Sequence, residues 1–167
     1  MSFLDALNDH AEEIESYGLD FRLNPGDAPR AVQFIRPSVS YDLLQKNYEP
    51  NICHTSNDFI KEDFHDYFDV LKDVCSKSLG ELMNEHSNVD FEIYSSPNRN
   101  LKAVYAKAMG KKNIYQSEMP SFGRIGLYNS LDENGKAPRI FFALGHWARL
   151  HVLIFDPLHQ IYPSNNN

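Results

Sequence analysis

No stretch of this chain approaches the ~18 consecutive apolar residues of a membrane-spanning helix, so no membrane partner is expected. Cysteine is scarce. Cys53 and Cys75 are the only two, and they form no Cys-x-x-Cys pair and no disulfide framework. Two isolated thiols suit a reducing compartment, with one bridge between them as the alternative. Met1-Ser2-Phe3-Leu4-Asp5 has neither the basic start nor the long apolar core of a signal peptide, so a cytoplasmic location is expected. Nucleotide motifs are missing too: Gly123-Arg124-Ile125-Gly126 opens a strand and lacks the Gly-Lys-Ser/Thr ending of a phosphate loop. There is no Gly-x-Ser-x-Gly elbow and no His-Glu-x-x-His pair. Cys53-His54, His146 with His151, and Asp156 with His159 all lack metal-ligand spacing, so neither a metal nor a cofactor is expected. Cys75 falls on an apolar helix face and reads as an inert thiol.

What is present is an ordinary core-forming composition with an uneven charge. Hydrophobic residues make up 42% of 167, which is enough for a single domain with a sizeable core. Phe (11) and Tyr (9) carry the aromatic content, and Trp147 is the only tryptophan. Residues 1–90 carry a net charge of −11 and residues 91–167 a net of +4, together the −7 of the chain. A pI near 5.4 excludes a bulk nucleic-acid coat, so any nucleic-acid contact would be local to the C-terminal half.

The periodicity predicts helices first and strands later. Phe3, Leu4, Leu7, Ala11 and Ile14 repeat at helical spacing between Ser2 and Gly18. Ala31–Arg36 reads as a short strand ended by Pro37, and residues 45–57 give no clear signal. Residues 58–86 read as a long helix capped at Ser56 or Asn57, which Gly80 breaks or bends. Val89–Ser95 alternates like a strand. Ser96-Pro97 then starts a helix that Gly110 closes after Met109. Phe122–Asn129, Ile140–Leu144 and Ala148–Phe155 read as strands joined by turns at 132–136 and near Gly145-His146. The expected fold is α+β: N-terminal helices packed on a C-terminal antiparallel β-meander of three to five strands. It forms one domain over 1–163 with a frayed tail at 164–167.

Three clusters are candidates for chemistry. The first is Arg124, Arg139, His146, Arg149, His151 and His159 in the C-terminal half. Arg149 and His151, two apart on a strand, share a face. A three-residue turn pairing 143 with 149 adds Arg139 to that face, whereas a two-residue turn pairing 142 with 149 sends it to the other. Arginine matches phosphate geometry and histidine exchanges protons near neutral pH. The second is the basic segment Arg99, Lys102, Lys107, Lys111 and Lys112, in which Lys111-Lys112 reads as a mobile tip suited to phosphate contacts. The third is an acidic stripe, Glu62, Asp66, Asp69 and Asp73, fit for a basic protein partner. Like charges at this spacing cost only a few tenths of a kcal/mol per pair, so a solvated face explains the stripe as well.

The order of elements over roughly residues 97–163 resembles that of RelE-type ribonuclease toxins, in arrangement and not in motif. That resemblance implies basic residues scattered on the sheet as the working groups. Three functions follow as expectations. The first is binding of an anionic partner, RNA or else an acidic protein surface, through Arg124, Arg139, Arg149, Arg99, Lys102, Lys111 and Lys112. The second is a metal-independent ribonuclease using His151, His146 and Arg149. The third is a protein–protein inhibitor or regulator acting through the acidic stripe.

Overall fold

A computed structural model describes residues 34–45, 47–48, 53–54, 61–84, 87–94, 96–127, 138–157 and 159–162. The expected helix over 3–17, the caps at Ser56 or Asn57, the turn at 132–136 and the tail at 164–167 lie outside the described residues. The strands are β1 (Ser38–Ser40), β2 (Asn47–Tyr48), β3 (Cys53–His54), β4 (Phe91–Tyr94), β5 (Ser121–Gly126), β6 (Arg139–Leu144) and β7 (Arg149–Asp156). The helices are α1 (Lys61–Ser76), α2 (Leu79–Leu82) and α3 (Arg99–Ala108). The fold is α+β, as expected: five strands form one sheet in the order β1-β7-β6-β5-β4, and β2 pairs with β3. The β4–β7 neighbours run antiparallel, but β1 joins β7 in parallel, so the sheet is mixed.

Strand β6 lies at the centre because Ile140-Phe141-Phe142-Ala143-Leu144 is apolar on both faces and needs cover on both. One face packs Ile140, Phe142, Leu150, Val152 and Phe155 against Tyr67 and Val74 of α1 and Leu79 and Leu82 of α2. The other packs Phe122, Phe141, Ala143, Leu153 and Ile154 against Leu101, Val104 and Tyr105 of α3. Helices therefore cover both faces, where the sequence had suggested helices on one face only. A bulge in β7 shapes the second face. Phe142 pairs with Val152 but Phe141 pairs with Ile154, so Leu153 is the extra residue. The carbonyl of Leu153 accepts from the Gln45 N–H at 2.7 Å, which ties the chain after β1 to the bulge.

Several local expectations change. Among the described residues the first strand follows Pro37, and Phe34 and Ile35 lie in a turn and bend, while residues 31–33 of the expected strand lie outside the described residues. The long helix is two helices, and the break comes from Ser78, not Gly80. Ser78 and Glu81 form a reciprocal capping box that starts α2, and Gly80 sits inside it. The cap of α3 is Asn98, two residues after Ser96. Its Oδ1 accepts from Leu101 N–H at 2.9 Å while its amide donates to the Ile161 carbonyl at 2.6 Å. Gly110 does end α3: at φ +64 it allows Lys111 N–H to reach Ala106 O and its own N–H to reach Lys107 O. Cys75 is exposed instead of lying in the apolar stripe, although partial burial still pushes its thiol up. On α1 the acidic stripe faces outward at Glu62, Asp69 and Asp73, with Asp66 half-buried.

Candidate functional site

The β6–β7 register answers the hairpin question in a third way. Gly145 N–H bonds to Arg149 O at 2.7 Å, and Leu144 pairs with Leu150, Ala143 with His151 and Arg139 with Asp156. Arg139, Ala143, Arg149 and His151 therefore share a face, the one that α3 covers. They do not share a site. Arg139 and Arg149 lie at opposite ends of the strands, about six rows and roughly 20 Å apart at ~3.3 Å per residue. Buried Phe141, Ala143, Leu153 and Ile154 fill the space between them. The meander thus offers two separate polar ends, not one basic face.

At the far end Arg124 is already paired. Arg124 Nη1 donates to Asp90 Oδ2 at 2.6 Å and its Nε to Glu92 Oε2 at 2.9 Å. Burial opposes the charge on Arg124, and the two carboxylates outweigh it, leaving its pKa above the usual arginine value. Burial, and then the charge of Arg124, hold Arg139 below that value. Tyr94, Phe141 and Tyr162 stack beside them, and burial pushes the Tyr94 phenol up. Asp156 is fully buried and accepts from the Gln160 and Ile161 N–H groups at 2.7 and 2.9 Å. It therefore fixes the turn that follows β7. Among the described residues, no three His, Cys, Asp or Glu side chains gather into a group that could hold a metal.

The basic segment divides between the two ends. Asn98 is anchored at Ile161, which puts Arg99 and Lys102 toward the far end. Tyr105 packs edge-on against Phe122, whose partner Ala143 pairs with His151, so the C-terminal end of α3 points toward the hairpin turn. Lys111 is not a free tip: its Nζ meets Glu118 Oε1 at 2.6 Å. That hydrogen bond, with one from Tyr115 N–H, holds the Glu118 carboxyl below its usual range. Lys112 is exposed.

The hairpin end is built differently. His151 Nδ1 lies 2.8 Å from Asp42 Oδ1, which also accepts from Ser40 Oγ at 2.7 Å. The His151 bond, then the Ser40 bond, holds Asp42 below the ordinary carboxylate range. Asp42 is placed by a turn in which Leu44 N–H reaches Tyr41 O, anchored by the Tyr41–Tyr67 hydroxyl contact at 2.8 Å and by the Gln45–Leu153 bond. The other ring edge of His151 lies over Gly145. A Cβ there would stand 2.6 Å from Nε2, so only glycine leaves room for the ring. A carboxylate on Nδ1 fixes the ring and favours its proton there, which leaves Nε2 as the group able to take or give a proton.

The turn itself is unusual. Trp147 (φ 54) and Ala148 (φ 55) both adopt left-handed backbone, and Arg149 N–H closes the turn on His146 O. Positive φ at both central residues suits a hairpin, but asparagine and glycine normally supply it. Each non-glycine residue held there costs on the order of 1–3 kcal/mol. Ala148 is fully buried and pins the turn, whereas Trp147 is 61% exposed. Arg149 and His146 are exposed beside it. Among the described residues no ion pair engages Arg149.

Two of these groups escape sequence reasoning. Asp42 lies 109 residues from His151 and is joined to it only by the β1–β7 pairing. Trp147 reads as a turn residue, and its being the only tryptophan was the one available signal. A scan of protein-family models, a search of curated proteins and a search of solved structures each found no match to this chain.

Proposed function

We propose that this protein binds RNA through the hairpin end of its sheet, with Arg149 as the principal phosphate contact. The observation that carries this reading is the contrast among its arginines and lysines. Arg124 and Lys111 are neutralised by carboxylates, whereas Arg149 is exposed and engaged in no ion pair among the described residues. It sits two residues from an Asp42-held histidine and two from an exposed indole. Such a cluster suits an anion that also carries aromatic bases. The test is fluorescence anisotropy with a labelled single-stranded RNA over a range of salt. Each phosphate contact contributes a slope of about −0.7 in log affinity against log salt. R149A lowers the magnitude of that slope by roughly one such step. An affinity independent of salt refutes the proposal.

One observation favours a second reading, a metal-independent ribonuclease. The His151–Asp42 pair places a proton-exchanging Nε2 on the same face as Arg149. In that reaction His151 takes the proton of the ribose 2′-hydroxyl, the 2′-oxygen attacks phosphorus, and Arg149 stabilises the charge on the phosphoryl oxygens. The 5′-oxygen leaves with a proton from solvent or from His146. Cleavage that persists in EDTA and disappears in H151A supports this reading. Cleavage that H151A leaves unchanged removes His151 from the role.

A further inference from the structure

We propose that Trp147 is a stacking platform for one unpaired base, so that the ligand of the hairpin end is single-stranded nucleic acid and not duplex. This rests on the RNA-binding reading above and specifies its ligand.

The argument starts from where the side chain is and how it is kept there. Trp147 is 61% exposed, and among the described residues Phe34, Phe68 and Tyr115 are as exposed or more so, but Trp147 alone of these sits on a left-handed backbone. Its backbone is left-handed, a conformation that bulky residues rarely adopt, and so is that of Ala148. The turn cannot relax by swinging inward. Arg149 N–H is bonded to His146 O, Gly145 N–H to Arg149 O at 2.7 Å, and Ala148 is wholly buried beneath it. The indole is therefore presented by a rigid support, which lowers the entropy lost when a ligand stacks on it.

The surroundings identify the ligand. His146 and Arg149 beside the ring are exposed and polar or charged. A protein hot spot wants an apolar surround that excludes water, and among the described residues the exposed chain neighbours His146 and Arg149 do not provide one. A nucleotide wants an aromatic plane with a cation within reach of its phosphate, which this turn offers through Trp147 and Arg149. A duplex has its bases already stacked on one another, so an indole platform selects unpaired bases. Stacking tolerates any base, and no sequence preference is implied.

The sole tryptophan is also the reporter. The full chain is titrated with a 12-nucleotide single-stranded RNA and with a duplex of equal length, following indole fluorescence and, separately, anisotropy of the labelled RNA. The single strand is expected to quench the indole and the duplex to bind more weakly. W147A is expected to lose roughly ten- to a hundred-fold in affinity with its salt slope unchanged, and W147F to retain most of the binding. Circular dichroism confirms that both variants fold. W147A binding the single strand as tightly as the native chain, or the native chain binding it without quenching of its indole, overturns the stacking proposal while leaving the RNA reading intact. Equal affinity for duplex overturns the single-strand preference. If the native chain binds neither RNA at low salt, the underlying reading fails, and the stacking proposal fails with it.

Discussion

Replacing Gly145 by alanine tests whether Asp42 and His151 act as a pair. Gly145 has φ −97 and ψ −171, ordinary extended backbone, so alanine brings no conformational strain. It does bring a methyl group 2.6 Å from His151 Nε2 and 2.8 Å from its Cδ2. Ordinary contact is about 3.5 Å, so the ring must retreat by about 0.9 Å. Nδ1 lies on the opposite edge, already 2.8 Å from Asp42 Oδ1, so the ring cannot retreat in place without compressing that contact and must rotate away from it. The pair therefore opens. The energetic cost is small because the Asp42 side chain is 57% exposed, and an exposed pair is worth about 0.2–1 kcal/mol. Reduced freedom of the unfolded chain returns about 0.4–1 kcal/mol. Global stability by urea titration should thus change by less than about 1 kcal/mol. The sensitive readout is the carboxyl titration of Asp42, followed by NMR. In the native protein His151 and Ser40 hold it below the ordinary range. A depressed carboxylate stabilises the fold above its unfolded pKa, and that contribution is lost as pH falls through its folded pKa. In G145A the titration should move up toward the ordinary carboxylate range and the acid limb of stability should flatten. An Asp42 titration identical in the two proteins refutes the reasoning, since the ring would then have kept its place beside a methyl group that has no room.

Three further outcomes follow from the core. Burial, and then the hydroxyl of Tyr41, push the Tyr67 phenol above its usual value, so its contribution to stability is present below about pH 10 and lost as pH rises beyond it. Y67F should flatten that alkaline limb in denaturation curves, and an unchanged slope counts against it. F142A removes a fully buried ring stacked on Phe91 at 5.3 Å and should cost about 3–5 kcal/mol by urea titration. A loss below about 1 kcal/mol contradicts a central β6. G123A drives a methyl into the Glu92 carbonyl and the Phe142 ring and should cost about 1–3 kcal/mol, seen as a lower urea midpoint. A midpoint unchanged from the native protein means β4 and β5 lie farther apart than their pairing requires.

The sheet was legible because its strands carry local signals. Apolar runs such as Ile140–Leu144 and Leu150–Phe155 need burial whatever surrounds them, and so mark strands of the sheet. Helix α3 was legible from Gly110, but its cap was misread. Asn98 gains a second bond to Ile161, 63 residues away, and no local rule weighs that. Strand β1 was missed because Ser38-Val39-Ser40 has little pattern of its own and pairs in parallel with β7. The register defeated the sequence for a related reason. The turn that forms is centred on Trp147, farther along the chain than either turn considered, and Trp147 and Ala148 occupy positions normally held by asparagine and glycine. The bulge at Leu153 then flips the side-chain alternation of β7, which no count from the turn anticipates.

The uneven charge along the chain takes a different meaning once pairing is considered. Asp90 and Asp42 belong to the acidic portion, and they meet Arg124 and His151 of the basic portion. Part of the contrast is thus consumed in holding β4 to β5 and the loop after β1 to β7. A positive charge held in a short carboxylate pair has little attraction left for an outside anion, because the pair presents a dipole to solvent. The test for a binding residue is therefore what survives internal pairing, not what the composition contains. By that test Arg124 and Lys111 fall away; Arg149 remains with Arg99 and Lys112, and of these Arg149 lies next to a strained turn that exposes the only tryptophan. Strain without local benefit is most economically explained by a ligand that the strained conformation serves. If the turn is instead only structural, replacing Ala148 by glycine relieves the strain without loss of binding, and W147A costs no affinity. If it serves a ligand, A148G keeps the turn and the binding, whereas W147A keeps the turn and loses the binding. W147A thus decides between the two accounts, and A148G serves as the control that easing the backbone strain leaves binding intact.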